Sequence, residues 1–108
     1  MNVLITGGAG YIGSELTGFM LNKGHTVTVI DNLEYGPDSL LRYVGNEKFD
    51  FINSDVRNKS EMKNCMKKAD VIVPLAALVG FPLCERKPKE AVEVNYDINK
   101  WIADNKSD

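Results

Sequence analysis

The residues that could do chemistry begin in Thr6-Gly7-Gly8-Ala9-Gly10-Tyr11-Ile12-Gly13, where Gly7, Gly10 and Gly13 recur at three-residue spacing. Each of these positions has a physical use. Gly7 lets the chain leave a strand in a tight turn. Gly10 has no side chain, so a pyrophosphate can approach the backbone. Gly13 lets the following helix pack close to the strand. A helix beginning near Tyr11 points its free N–H groups and the positive end of its dipole at the phosphates, so Tyr11 and Ile12 join the glycines as candidate contacts. A glycine-rich turn that binds nothing is the alternative. Context favours the phosphate reading: an apolar strand before, an amphipathic helix after, and an acid at the end of the next strand.

That acid is Asp31, after Val27-Thr28-Val29-Ile30. A carboxylate here can accept hydrogen bonds from both hydroxyls of an adenosine ribose. It would repel a 2′-phosphate, and no arginine follows it, which favours NAD over NADP. Its other reading is a solvated loop aspartate beside Asn32.

Alternating strands and helices must position these residues. Val3-Leu4-Ile5 is a continuous apolar run, as a strand buried on both faces would be. Ile12, Leu16, Phe19 and Met20 then recur at helical spacing, with a stop at Lys23-Gly24. Thr26 to Ile30 is β-branched almost throughout and reads as strand two. A short helix is expected from Pro37 to Val44, a weaker third strand at Phe49-Asp50-Phe51-Ile52, and a helix from Ser60 to Ala69 with Met62, Cys65, Met66 and Ala69 on one side. Val71-Ile72-Val73 is strand four, and Pro88 opens a last helix that runs nearly to the C-terminus. Such alternation implies a parallel sheet with right-handed crossovers and helices on both faces. The expected class is α/β: a partial, Rossmann-type, doubly wound sheet of about four strands in the order 3-2-1-4.

The chain has 108 residues, the size of one small domain, with 44% hydrophobic and 26% charged residues and a formal net charge of -2. That charge gives no electrostatic reason to expect nucleic acid. No apolar run is long enough to span a bilayer, and the N-terminus lacks the basic segment of a signal peptide, so a cytoplasmic protein is expected. Cys65 and Cys84 have no metal-ligand spacing and read as reduced, structural residues. His25, in the turn before strand two, is expected in solvent. So are the lysines from Lys59 to Lys68.

The glycine segment resembles the signature of the extended short-chain dehydrogenase/reductases. Asp31-Asn32-Leu33 is similar to the nucleotide-sugar epimerase and dehydratase members. Two more segments support the resemblance, which covers essentially the whole chain. Ser54-Asp55-Val56-Arg57 follows strand three, where the family has an aspartate and an apolar residue against the adenine. Leu75-Ala76-Ala77 follows strand four, where it has a small-residue turn beneath the cofactor. The resemblance implies bound NAD and UDP-glucose-4-epimerase-like or sugar-nucleotide dehydratase-like chemistry, in which a hydride leaves the sugar and returns. Asp55 would accept from the adenine amino group and Val56 would supply an apolar wall; alternatively Asp55 caps the next helix. Ala76 and Ala77 are small enough to lie under a dinucleotide, and simple close packing would also explain them.

The family's catalytic Tyr-x-x-x-Lys follows a fifth strand, which this chain is expected to end before; a substrate-binding region is likewise expected to be absent. Tyr96-Asp97-Ile98-Asn99-Lys100 has the spacing, but a chain with this many lysines meets it by chance. At about 100° per residue, Ala91, Val94, Ile98, Trp101 and Ile102 form one apolar face. Tyr96 and Lys100 fall on the opposite side. Asn95 falls within the apolar face, where the family has an asparagine near the nicotinamide end of the cofactor; a cofactor contact and a buried structural amide both fit. Ile98-Asn99 replaces a usual Gly-Thr pair, and Val79 stands where some epimerases have a lysine. The segment Gly80-Phe81-Pro82-Leu83-Cys84 reads as a loop.

Strand four is expected at a sheet edge. An apolar edge is a pairing hazard, so a homodimer through that edge, a complementing polypeptide or a chain prone to aggregation is expected. Three functions follow: the NAD-binding portion of an epimerase or dehydratase, taking a nucleotide-sugar once completed; a stand-alone NAD-binding module; and a minimal enzyme using Tyr96 and Lys100.

Overall fold

Val3, Leu4 and Ile5 are each at most 1% exposed. Successive side chains of a strand point to opposite faces, so burial of all three requires cover on both sides of β1 (Asn2–Thr6). The computed structural model, which describes residues 1–33, 36–76 and 88–105, shows how that cover arises. β1 lies between β2 (Thr26–Asp31) and β4 (Val71–Pro74), and β3 (Phe49–Asn53) pairs with the far side of β2. All pairings are parallel and the order is β3-β2-β1-β4, as expected from the sequence. Val3 stands opposite Val27 on one side and Val71 on the other, and Val29 opposite Phe51. The carboxyl ends of the strands are therefore level.

Each sheet face carries its own apolar layer. On one face Val3, Ile5, Val27 and Val29 pack with Leu40, against Leu16, Met20 and Leu21 of α1 (Tyr11–Asn22) and Tyr43 of a 3-10 helix (Asp38–Tyr43). On the other, Leu4 and Ile30 pack with Val56, Met62 and Met66 of α2 (Lys59–Lys68), and Ile98 and Ile102 of the last helix. The doubly wound arrangement is thus present in four strands.

Several local features depart from the expected pattern. The buried residues of α1 are Gly13, Ser14 and Thr17, while Ile12 and Phe19 are exposed. Small residues line its inner side because α1 sits close to the sheet; the Thr17 hydroxyl is satisfied there by the Gly13 carbonyl at 2.7 Å. The helix stops at Lys23-Gly24 as expected. Gly24 N–H donates to Leu21 O and His25 N–H to Met20 O, with Gly24 at φ 89°, which is a Schellman ending. His25 is half-buried rather than solvated. Thr26 N–H donates to Met1 O, and this pairing brings the amino terminus within 3.2 Å of the His25 Nδ1. The lysines of α2 are exposed, as expected.

The last helix is interrupted. α3 (Pro88–Val92) passes through a π turn (Glu93–Asp97) into α4 (Ile98–Asn105). A π turn closes i→i+5 hydrogen bonds and adds a residue to the turn, so the 3.6-residue period does not carry across it. Asn95, expected on the apolar face, is therefore exposed, while Ile98 and Ile102 remain buried. Tyr96 and Lys100 are exposed, as expected. The side chains of Ala91 and Val94, together with Ala77, Val79 and the expected loop Gly80 to Cys84, lie outside the described residues.

Met62 is fully buried between α2 and the sheet. Met62→Ala is expected to lower stability by about 2–4 kcal/mol in chemical denaturation, from lost contacts and a residual cavity. A loss below about 1 kcal/mol would mean that α2 is not clamped to the sheet in solution.

Candidate functional site

The level strand ends place the candidate residues side by side. Gly7 N–H donates to Ile30 O at 2.8 Å, and Leu75 N–H donates to Thr6 O at 2.9 Å. Ala76 N–H reaches the Thr6 hydroxyl oxygen at 3.3 Å. The exit from β1 is thus gripped by the exits of β2 and β4. A Cβ on Gly7 would lie 2.6 Å from Ala76 Cα, and the residue has φ 76°, which glycine tolerates best. A Cβ on Gly13 would lie 2.6 Å from Gly7 O and 2.7 Å from Gly8 Cα. Gly13 is a close-packing position, as expected, though its nearest neighbour is the loop itself. Gly8, not singled out from the sequence, belongs to the same set: its Cβ would meet the Val29 methyls at 2.5 Å.

Gly10 differs from these three. It is exposed, its φ of -73° suits any residue, and a Cβ there would touch only Gly7 O at an ordinary 3.5 Å. No contact within the described residues requires a glycine. Its absent side chain keeps the outer surface of the loop bare. The first intrahelical bond of α1 runs from Ser14 N–H to Gly10 O at 2.9 Å. The N–H groups of Tyr11, Ile12 and Gly13 lie ahead of it, the position at which a helix presents donors to an anion. The Tyr11 and Ile12 side chains are exposed.

Asp31 is more than a solvated loop residue. Its Oδ2 accepts from Ala9 N–H at 3.0 Å and its Oδ1 from Leu33 N–H at 2.7 Å. A carboxylate has about four acceptor positions, so capacity remains for hydroxyl groups. Leu33 has φ 59°, a left-handed conformation uncommon for a bulky residue, and the Asp31 carboxylate holds it there. Asn32, between them, is exposed. The 3-10 helix closes the other side of the loop. Ser39 Oγ donates to Ala9 O, and Tyr43 OH donates to Ser14 O at 2.6 Å, over Gly18. Ser39 and Tyr43 were missed in the sequence, where nothing about their spacing links them to the loop.

Asp55 follows directly from β3. Ser54 N–H donates to Asp31 O at 3.1 Å, which brings the two acids to the same end of the sheet. Asp55 does not cap α2. Asn58 does so, its side chain accepting from Glu61 N–H at 3.2 Å. Asp55 is instead held by Arg57: Nη2 donates to Oδ2 at 2.6 Å, and Nε and the backbone N–H donate to Oδ1 at 2.9 and 2.8 Å. These hydrogen bonds hold its carboxyl below the ordinary value of 3.8, against the opposing effect of partial burial. Arg57 also reaches Glu93 of the π turn at 3.4 Å. Val56 is only 5% exposed and belongs to the core, so it has little surface to offer as an apolar wall.

Leu75 and Ala76 are half-buried, and close packing accounts for both: Leu75 against the Val3 layer, Ala76 against Gly7 and the Leu4 layer. Ala77 lies outside the described residues. Asn95 and Tyr96 are on the π turn and exposed, and Lys100 pairs with Asp104 at 2.9 Å. Tyr96 and Lys100 therefore face water, as the helix geometry suggested. Among the described residues there is no cluster of three or more potential metal ligands and no helix long and apolar enough to cross a membrane. Cys65 is a free thiol whose pKa is pushed up by burial.

The profile of the NAD dependent epimerase/dehydratase family matches residues 3–104. A UDP-N-acetyl-alpha-D-glucosaminuronate decarboxylase of Bacillus cytotoxicus is 36% identical over 95 residues, covering 87% of this chain and 29% of that protein. The chain thus spans about three-tenths of that relative's length. Among solved structures, the UDP-N-acetylglucosamine 4-epimerase of Methanobrevibacter ruminantium, in complex with UDP-N-acetylmuramic acid, is similar with a TM-score of 0.79 and 31% identity. It covers 90% of this chain and 31% of that one. A UDP-glucose-4-epimerase of Stenotrophomonas maltophila, with bound NAD and formylated UDP-arabinopyranose, gives a TM-score of 0.79 at 30% identity, covering 92% and 31%.

The glycines divide into two kinds, and stability separates them. Gly13→Ala should cost about 2 kcal/mol or more, because backbone atoms must move to admit the methyl group. Gly10→Ala meets no backbone clash and loses only a better N-cap, so it should cost about 1 kcal/mol or less. Equal losses in urea denaturation would show that Gly10 is a packing position too.

Asp55 gives a pH signature. Its folded pKa lies below its unfolded one, so its pairing stabilises the fold above the unfolded value and that stability is lost as pH falls through the folded value. Asp55→Asn should therefore cost about 0.2–1 kcal/mol at neutral pH, with the gap to the parent closing on acidification. A gap independent of pH would mean that the charge of Asp55 contributes nothing.

Proposed function

The chain belongs to the NAD dependent epimerase/dehydratase family, and from that premise we propose that it is the NAD-binding portion of a nucleotide-sugar epimerase or dehydratase. The observation that carries the proposal is Gly10, exposed and with no steric need for glycine among the described residues, which leaves the N-terminus of α1 uncovered by a side chain. The residues present fit a dinucleotide. Gly7 and Gly13 shape the loop, Gly10 leaves its outer surface bare, and the N–H groups of Tyr11, Ile12 and Gly13 meet the pyrophosphate. Asp31, fixed by Ala9 and Leu33, accepts from the ribose hydroxyls with Asn32 beside it. Asp55 accepts from the adenine amino group, with the Val56 backbone next to it. Leu75 and Ala76 form the floor at the exit of β4, and Asn95 serves the nicotinamide end.

NAD, when bound, would supply a hydride acceptor for the sugar. The chain's part in that chemistry is to hold and orient. The exposed Tyr96 and the Lys100–Asp104 pair offer no acid/base couple near the loop. We accordingly assign catalysis to the whole of such an enzyme, an isomerase or an oxidoreductase, and not to these residues alone. The same observation favours, as a second reading, an NAD-binding module that works without chemistry of its own. In either case β4 lies at the sheet edge with its apolar residues half-buried, where a further strand, from a second copy or another polypeptide, would complete the layer. A cytoplasmic setting belongs to the same proposal and agrees with Cys65 as a free thiol.

Titration calorimetry with NAD and NADP, on the parent chain and on Gly10→Val, tests the site. NAD should bind at least about tenfold more tightly than NADP, since a 2′-phosphate would face the Asp31 carboxylate. Gly10→Val should abolish binding without unfolding the chain. A folded parent chain that binds neither dinucleotide, or a valine variant that binds as the parent does, would overturn the assignment.

A further inference from the structure

We propose that Arg57 is a positioning residue for base selection, fixing the Asp55 carboxylate so that the site favours a dinucleotide whose purine carries a 6-amino group over one with a 6-oxo group. The inference rests on the dinucleotide reading above and adds to it the device that sets base identity.

An aspartate side chain on a turn normally has two torsions free, and its carboxylate can face in several directions. Asp55 does not have that freedom. Arg57 approaches it as a fork, with Nη2 on one oxygen at 2.6 Å and Nε on the other at 2.9 Å, while the Arg57 backbone N–H adds a third bond at 2.8 Å. The planar guanidinium dictates the plane of the carboxylate it grips. Arg57 is in turn anchored from across the fold, with Nη1 3.4 Å from Glu93 Oε1 on the π turn. The β3–α2 turn, the acid and the last helix are thereby tied into one unit.

The direction left open to Asp55 is what matters chemically. Arg57 takes three of the carboxylate's about four acceptor positions, two on Oδ1 and one on Oδ2, which leaves one on Oδ2. Asp55 stands just after Ser54, whose N–H is bonded to the Asp31 carbonyl, so that acceptor belongs to the same sheet end as the candidate ribose acceptor. An ionised carboxylate only accepts hydrogen bonds. It rewards an amino group and repels a carbonyl oxygen. The guanidinium also keeps it ionised, since its hydrogen bonds depress the carboxyl pKa. Lysine would supply the charge without the fork. Charge alone is therefore not the property that Arg57 contributes.

The test compares binding of NAD and of nicotinamide hypoxanthine dinucleotide to the parent chain, Arg57→Leu, Arg57→Lys and Asp55→Asn by calorimetry, with thermal unfolding of each variant alongside. The parent should prefer NAD by about tenfold or more, the scale of one charge-assisted hydrogen bond. Arg57→Leu should reduce that ratio to about threefold or less, mainly through weaker NAD binding, and Arg57→Lys should restore only part of it. Asp55→Asn, whose amide can donate, should shift the preference toward the 6-oxo base. A ratio unchanged in Arg57→Leu, with both affinities lowered equally, would show a merely structural staple and overturn the proposal. Equal binding of the two dinucleotides by the parent would overturn it as well, while leaving the dinucleotide site standing. A folded parent that binds neither would sink the cofactor reading and this inference with it. Should Arg57→Leu not fold, an unchanged ratio in both Arg57→Lys and Asp55→Asn overturns it.

Discussion

The backbone of Gly7 lies so close to that of Ala76 that no side chain fits between them. The rest of the loop follows from that contact. Gly7 is held at this point by its hydrogen bond to Ile30 O, and Thr6 by the bond from Leu75 N–H, so the chain must leave β1 in the narrow space between two neighbouring strand ends. A positive φ turns it back at once toward the sheet face, where Gly8 rests on Val29. The Gly7 carbonyl then faces α1, and only a glycine at position 13 lets the helix begin that close. The inner side of α1 is small for the same reason, and Thr17 is tolerated there because its hydroxyl donates a hydrogen bond to Gly13 O. A helix started in this way points its N-terminus across the strand ends, where backbone donors and the helix dipole act together.

Two carboxylates share that region, and both are held by donors of the chain itself. Asp31 is fixed by two backbone N–H groups and Asp55 by a guanidinium fork. These donors orient each acid and, for Asp55, stabilise the charged form, and acceptor capacity is left on both. Next to them the start of α1 presents the N–H groups of Tyr11, Ile12 and Gly13. The strand ends are therefore divided into a donor-rich part over β1 and an acceptor-rich part over β2 and β3. A dinucleotide has the complementary order: anionic phosphates, then ribose hydroxyls, then an amino group on the base. This complementarity of sequence along the site, more than any single contact, supports the dinucleotide proposal.

Much of this was legible in the sequence because the relevant signals are local. The apolar run Val3-Leu4-Ile5 can only be a strand covered on both faces, and β-branched Thr26 to Ile30 repeats the signal. With two such strands separated by one helix, a parallel sheet is nearly forced. The glycine spacing and Asp31 point to the candidate site. What escaped notice depends on contacts between distant segments. Ser39 and Tyr43 matter because the 3-10 helix folds back over Ala9 and Ser14. Gly8 matters because Val29 lies beneath it. The apolar spacing of α1 pointed to Ile12 and Phe19, whereas close approach selects small residues instead. Asn95 differs for another reason: the π turn interrupts the 3.6-residue period at that residue, while Ile98 and Ile102 beyond it keep the buried side.

The four loop glycines show how fold and function can be separated within one motif. A glycine required by its own chain betrays itself by an internal collision or a positive φ, and Gly7, Gly8 and Gly13 all do so. Gly10 has neither. Gly10 is the N-cap of α1, where glycine is preferred to alanine, but serine, asparagine or aspartate would serve the cap at least as well and would lay a side chain over the first-turn N–H groups. With glycine those N–H groups stay uncovered, beside the acids at the neighbouring strand ends, and that arrangement is what supports the dinucleotide proposal.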